Sequence, residues 1–211
     1  MKNSRFSRVY EAISALIDLI YVGILWLLCS LPLVTLGAST TALYYAVVKC
    51  IRHNRGGLTT TFFRGFRTNF RQATLVWLLL LLYLLVMAAD AYTLGKMGLG
   101  SGGFLYVLSR LLFLPPLFLF PWVFPYLSRF ENSLSGSLKF CLLLLLRFPL
   151  RSLLLAAELL AFLLVSWLQP MLFPLLPGAV CLIMSLSIEP VFRIFQPDAP
   201  EDGSIDTWYN E

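Results

Sequence analysis

Of the ionisable side chains in or at the edge of long apolar runs, four are candidates for chemistry: Asp18, Asp90, Arg110 and Glu158. A charge at membrane depth is costly, so such residues pair, hydrogen-bond, or serve the path of an ion or substrate. Asp90 lies four residues before the end of one apolar run and Arg110 six residues after the start of the next. In antiparallel helices the two would meet as an ion pair, or else contact a substrate. Asp18 lies nearest the basic N-terminal segment, which offers it a partner. Glu158 is the most isolated, and a carboxyl held in hydrocarbon favours its neutral, hydrogen-bonding form. A proton relay through Asp18 and Glu158 would want a second carboxylate one turn from either, and none is there. The single histidine, His53, ends a basic helix terminus, where it reads as a dipole contact rather than a ligand. No Ser/His/Asp grouping, metal-ligand spacing or nucleotide fingerprint occurs. The sequence therefore points away from an enzyme and implies no cofactor or metal.

The elements that hold these residues are membrane helices. The chain has 211 residues, of which 59% are hydrophobic and 13% charged, with a mean hydropathy of +0.80. Soluble domains run near a quarter charged, so the composition defines a polytopic, all-α membrane protein. The net charge of +5 comes from short basic clusters beside apolar runs, which fits a bilayer surface and excludes nucleic acid as the partner. Cys29, Cys50, Cys141 and Cys181 are far apart, with no CxxC spacing, and read as free thiols in apolar surroundings. Lys2, Arg5 and Arg8 before an apolar run have the look of a signal peptide. The run is long for one and contains Asp18, so the first helix is read as retained.

The patterning gives one transmembrane domain over residues 1–195, with spans near 12–31, 38–52, 73–94, 104–127, 150–168 and 174–195, and an acidic, flexible tail over 196–211. The second span is the marginal one: about 16 to 18 residues, near 25 Å, against a hydrocarbon core of roughly 30 Å. It depends on a hairpin turn. Pro32 ends the first helix, Thr35 and Gly37 offer cap and turn chemistry, and the small residues Gly37, Ala38, Thr41 and Ala42 let helices approach closely.

This stretch also carries a resemblance. LWLLCSLPLVTLGASTTALYYAVVK followed by FFRGFRTNFRQAT resembles the N-terminal signature of the YesL family of bacterial integral membrane proteins: an apolar helix, a Leu-Pro-x-x-Thr-x-Gly-Ala turn, a Thr-Ala-x-Tyr-Tyr helix, then a Phe-rich basic segment. The motif covers the first ~75 residues, and only length and hydropathy match beyond it. The resemblance implies a multi-pass protein of unknown biochemical activity, associated with carbohydrate uptake systems of the ABC importer type. It carries over no catalytic residue.

After the hairpin, Gly56 and Gly57 break the helix, and the next segment places Phe62, Phe63, Phe66 and Phe70 on one arc with Arg64, Arg67 and Arg71 beside it. Such an amphipathic helix is expected to lie in the interface, rings in the acyl boundary and guanidinium groups at anionic headgroups, or to dock a partner. The five glycines of residues 95–103 form a loop without P-loop spacing. The fourth span contains Pro115, Pro116, Pro121 and Pro125, so it must kink or break, and its freed carbonyls need partners. Ser133 to Arg147 reads as a second interfacial or re-entrant helix, too short in its apolar part to cross.

Six spans put both termini on one side, which then receives fourteen of the 16 Lys and Arg. Lys96 falls opposite and Arg110 within a span, so the positive-inside rule names that side the cytoplasm and the membrane the bacterial plasma membrane. A five-span alternative, with 38–53 lying flat, splits the bases between the two sides. Two functions follow. One is a non-catalytic accessory or regulator of a carbohydrate importer, which docks on permeases and leaves a homo-oligomer open. The other is a small transporter or channel with a path near the broken fourth span and Glu158.

Overall fold

The computed structural model describes residues 3–96, 104–130 and 132–195. Most of the glycine loop and the acidic tail lie outside the described residues. Helix α1 spans Asn3–Ser30, and Pro32 stops it because the ring can neither donate to the helix ladder nor allow its predecessor a helical ψ. A short turn over Leu33–Thr35 follows. In it the Thr35 hydroxyl lies 2.5 Å from Cys29 O, a carbonyl that the end of α1 leaves open, and 2.7 Å from Pro32 O, and its one proton is shared between them. Helix α2 spans Leu36–Ala46 and widens into a π-type coil over Val47–Arg52.

The hairpin forms as expected. Trp26 Nε1 donates to Thr40 Oγ1 at 3.1 Å, and the Ser30 and Ser39 hydroxyls meet at 2.5 Å, so α2 runs back antiparallel to α1. Ala38, Thr41 and Ala42 are fully buried. The short second helix turns out to be the axis of the molecule, enclosed by α1 and by the later helices described below. Its marginal length matters less than composition implied, because protein rather than lipid surrounds most of it.

Gly37 is not a turn residue. It lies inside α2, where a Cβ would collide with Ala73 O and the Trp77 side chain. Its role is to let α2 touch helix α3, which spans Leu58–Lys96 as one unbroken helix of 39 residues. This corrects the expected division into an interfacial helix and a third span beginning near Ala73. Nothing between Phe66 and Tyr92 breaks a helix, and the buried positions Phe62, Gly65, Ala73 and Val76 form one stripe against α2. At ~1.5 Å per residue α3 is about 58 Å long, roughly twice the hydrocarbon thickness. Arg64, Arg67 and Arg71 are exposed on the part of α3 that packs beside α2.

The fourth expected span is broken rather than bent. Helix α4 (Phe104–Leu111) and helix α5 (Leu114–Arg129) meet just before Pro115 and Pro116, while Pro121 and Pro125 lie within α5. Pro116 has no N–H for the carbonyl of Leu112, and Tyr83 OH of α3 donates to that oxygen at 2.6 Å. Helix α6 spans Leu134–Arg147, with the Ser133 hydroxyl accepting from Gly136 N at its start. Helices α7 (Pro149–Leu168) and α8 (Leu176–Ile194) form an antiparallel pair, in which Arg151 reaches Ser187 O at 2.9 Å. Among the described residues five helical stretches are long and apolar enough to cross a membrane: Ile13–Ser30, Leu33–Arg52, Leu58–Thr93, Pro149–Leu168 and Leu176–Ile194.

Candidate functional site: a buried ionic cluster and an apolar groove

Proline and arginine organise the first site. Pro190 interrupts the hydrogen-bond ladder of α8, and the turn before it, Ser185 to Glu189, is held by three arginines from three other elements. Arg52, at the end of the π-type coil, donates to Ser185 O at 2.7 Å and to Ser185 Oγ at 3.1 Å. Arg151 of α7 takes Ser187 O. Arg129, the last residue of α5, forms a salt bridge with Glu189, and Tyr44 OH of α2 donates to the other Glu189 oxygen at 2.9 Å. Glu189 is 0% exposed and Arg129 9%. The Arg129 guanidinium also lies 5.9 Å and 5.7 Å from the Phe130 and Phe192 ring centres. The cluster therefore joins α2, α5 and α8 through charge-assisted bonds in a site closed to water, where loss of either charged partner is expensive.

Around it further polar side chains link the helices. Trp122 Nε1 donates to Ser152 Oγ at 3.0 Å, linking α5 to α7. Gln72 Nε2 reaches Asn132 O at 2.9 Å and Ser137 Oγ at 3.2 Å, which ties α3 to α6.

The residues singled out in the sequence fare differently. Asp90 and Arg110 do not form the expected ion pair; the Arg110 guanidinium lies 4.9 Å from the Tyr106 ring, one turn back on its own helix. Lying near the facing ends of consecutive helices fixes a level, not a shared face, so it does not by itself bring the two side chains together. Asp18 is half-buried on α1. Of the Phe/Arg segment, Phe62 is fully buried against α2, Phe66 is half-buried, and Phe63 and Phe70 are 39% and 37% exposed. Their rings touch in series, Phe62 to Phe66 at 6.5 Å and Phe66 to Phe70 at 5.4 Å. Part of the face expected to meet lipid thus packs inside the protein.

Glu158 lines a second feature, an open-sided groove of about 160 Å³ between α7 and α8. The other lining residues are Ala161, Phe162 and Val165 of α7 and Leu176, Val180 and Ile183 of α8, all apolar. The buried Oε2 of Glu158 has no hydrogen-bond partner among the described residues.

Sequence reasoning missed Tyr44, Glu189 and the burial of Arg129. A signal was present: Glu189 is a carboxylate inside an apolar run with proline next to it. Its partner lies 60 residues earlier, directly after a span, where an arginine reads as a headgroup contact.

A family model described as "Protein of unknown function, DUF624" matches residues 19–91, from within α1 through most of α3. This is the hairpin, α2 and the Phe/Arg segment, the same region that carries the resemblance in sequence. No curated protein and no solved structure matches the chain.

Proposed function

We propose that the chain is a YesL-like, non-enzymatic protein of the bacterial plasma membrane that acts as an accessory or regulatory component of carbohydrate uptake by ABC-type importers. In this reading it crosses the membrane six times, with α4 and α5 together making the fourth crossing, and both termini are cytoplasmic. The uptake link rests on the resemblance. The observation that carries the non-transporting part is the use of the polar groups inside the bundle. The charges of Arg129 and Glu189 satisfy one another, Tyr44 closes the pair, and Arg52 and Arg151 are bound to the backbone of α8. A solute path needs polar groups turned toward a cavity. Here the open groove is apolar apart from Glu158.

The test has two arms. Full-length protein extracted from its native membrane is expected to co-purify with importer permeases, and purified protein in liposomes is expected to move no sugar. Solute flux by the protein alone, lost in Glu158→Gln or Pro115→Ala, would replace this reading with that of a small transporter.

A further inference from the structure

Glu158 is the tenth of the 20 residues of α7, so it stands about 15 Å from either end of the helix. Headgroups and bulk water lie beyond its reach on both sides if α7 crosses the bilayer. The groove it lines is open and apolar, and acyl chains entering it bring no hydrogen bond. The protein itself supplies none to Oε2 among the described residues. A polar group in hydrocarbon without a partner is strongly disfavoured, so the missing donor must come from something that brings polar atoms to mid-membrane depth. Only another polypeptide segment does this as a matter of course.

We infer that the α7–α8 groove is a docking site for a transmembrane helix of a partner protein, which places an apolar side chain in the groove and a hydrogen-bond donor (Ser, Thr, Asn, Gln, Lys or Arg) on Glu158. The size fits a side chain: a cavity of ~150 Å³ admits a benzene-sized group. Ala161 in the lining is a small residue of the kind that allows close approach of helix backbones at membrane interfaces. The outer face of α7 continues the surface, with Leu160 and Leu164 exposed beside it. This inference rests on the accessory reading and names the surface through which the partner is held.

The test places the photo-crosslinker p-benzoyl-phenylalanine at Ile183, which lines the groove and is 50% exposed, in full-length protein in its native membrane. The expected product is an adduct whose cross-linked peptide is an apolar segment containing one of the named donors. Its yield should fall about tenfold in Glu158→Leu, as loss of one hydrogen bond at this depth implies, and persist in Glu158→Gln, which keeps an acceptor. Unchanged yield in Glu158→Leu would overturn the role of Glu158. An adduct with a second copy of this chain, or with lipid alone, would overturn the proposed occupant. In each of these cases permease co-purification can stand, whereas its absence in the unsubstituted protein removes the accessory reading itself.

Discussion

At the scale of single residues, the physics concentrates in Arg129, Glu189 and Tyr44. Both charges are buried, so removing one leaves the other without its partner in a site closed to water. Glu189→Ala or Arg129→Ala should therefore cost about 3–5 kcal/mol, while Tyr44→Phe, which leaves the ion pair intact, should cost about 1–2 kcal/mol. Unfolding of the purified protein in mixed micelles measures both. The pair should be strongly coupled in a double-mutant cycle, the double replacement costing less than the sum of the single ones. Cys141, fully buried on α6, offers a separate readout of the folded state. Burial pushes its thiol up to about 12, so the reactive thiolate is scarce at neutral pH and becomes abundant only as pH approaches that value. In a variant where Cys141 is the sole cysteine, maleimide at pH 8 should leave it unmodified until the protein unfolds. Rapid labelling of the folded protein would contradict its burial.

At the scale of elements, α2 and α3 form the unit on which the rest is assembled. Leu33 O accepts from Trp77 Nε1 at 2.6 Å, Gly37 meets Ala73, and Gly65 packs on the Tyr45 ring, so the two helices run antiparallel along the whole of α2. Gly37→Leu would force backbones apart at the tightest of these contacts and should destabilise by at least the ~1–3 kcal/mol of an overpacked core. The continuity of α3 is separately testable. Spin labels at Arg67 and Leu85, both exposed, are 18 residues apart and should report one narrow distance near 27 Å, as ~1.5 Å per residue requires. A broad or much shorter distribution would restore the two-helix division. The hairpin, the broken fourth segment and the α7–α8 pair were legible in the sequence because proline and small residues act locally: Pro32, Thr35 and Pro115 announce what they do within a turn or two. The unbroken α3 was not, because a change from basic-aromatic to aliphatic composition at Ala73 marks a change of surroundings, not of backbone. Nor was the Glu189 cluster, since a pairing of α5 with α8 depends on how helices distant in sequence are brought together.

For the whole molecule, the positions of the bases decide how the bundle sits. The α7–α8 hairpin carries Arg151 and Arg193 at its open end, with Arg147 of α6 just before it, and no lysine or arginine from 152 to 192. Its closed end, around Pro170–Leu172, presents Met171 at 93% exposure. Arg151 is anchored to Ser187 across the hairpin, which fixes the basic end to one level, and the 20 and 19 residues of the two helices, near 30 Å each, put the closed end a full hydrocarbon thickness away. Helix α3 follows the same polarity, with Arg64, Arg67 and Arg71 near its start and an exposed aliphatic surface of Leu78, Leu82, Leu85 and Val86 further on. Positive charge is retained on the cytoplasmic side during insertion, so both sets of arginines should lie there. In a background lacking the four native cysteines, Met171→Cys should react with a membrane-impermeant maleimide added to intact cells, and Arg67→Cys only after the membrane is opened. Labelling of both positions from the same side would mean that the α7–α8 hairpin enters and leaves without crossing. The groove at Glu158 would then meet water or headgroups rather than hydrocarbon, which would remove the reason for a partner helix to cover it.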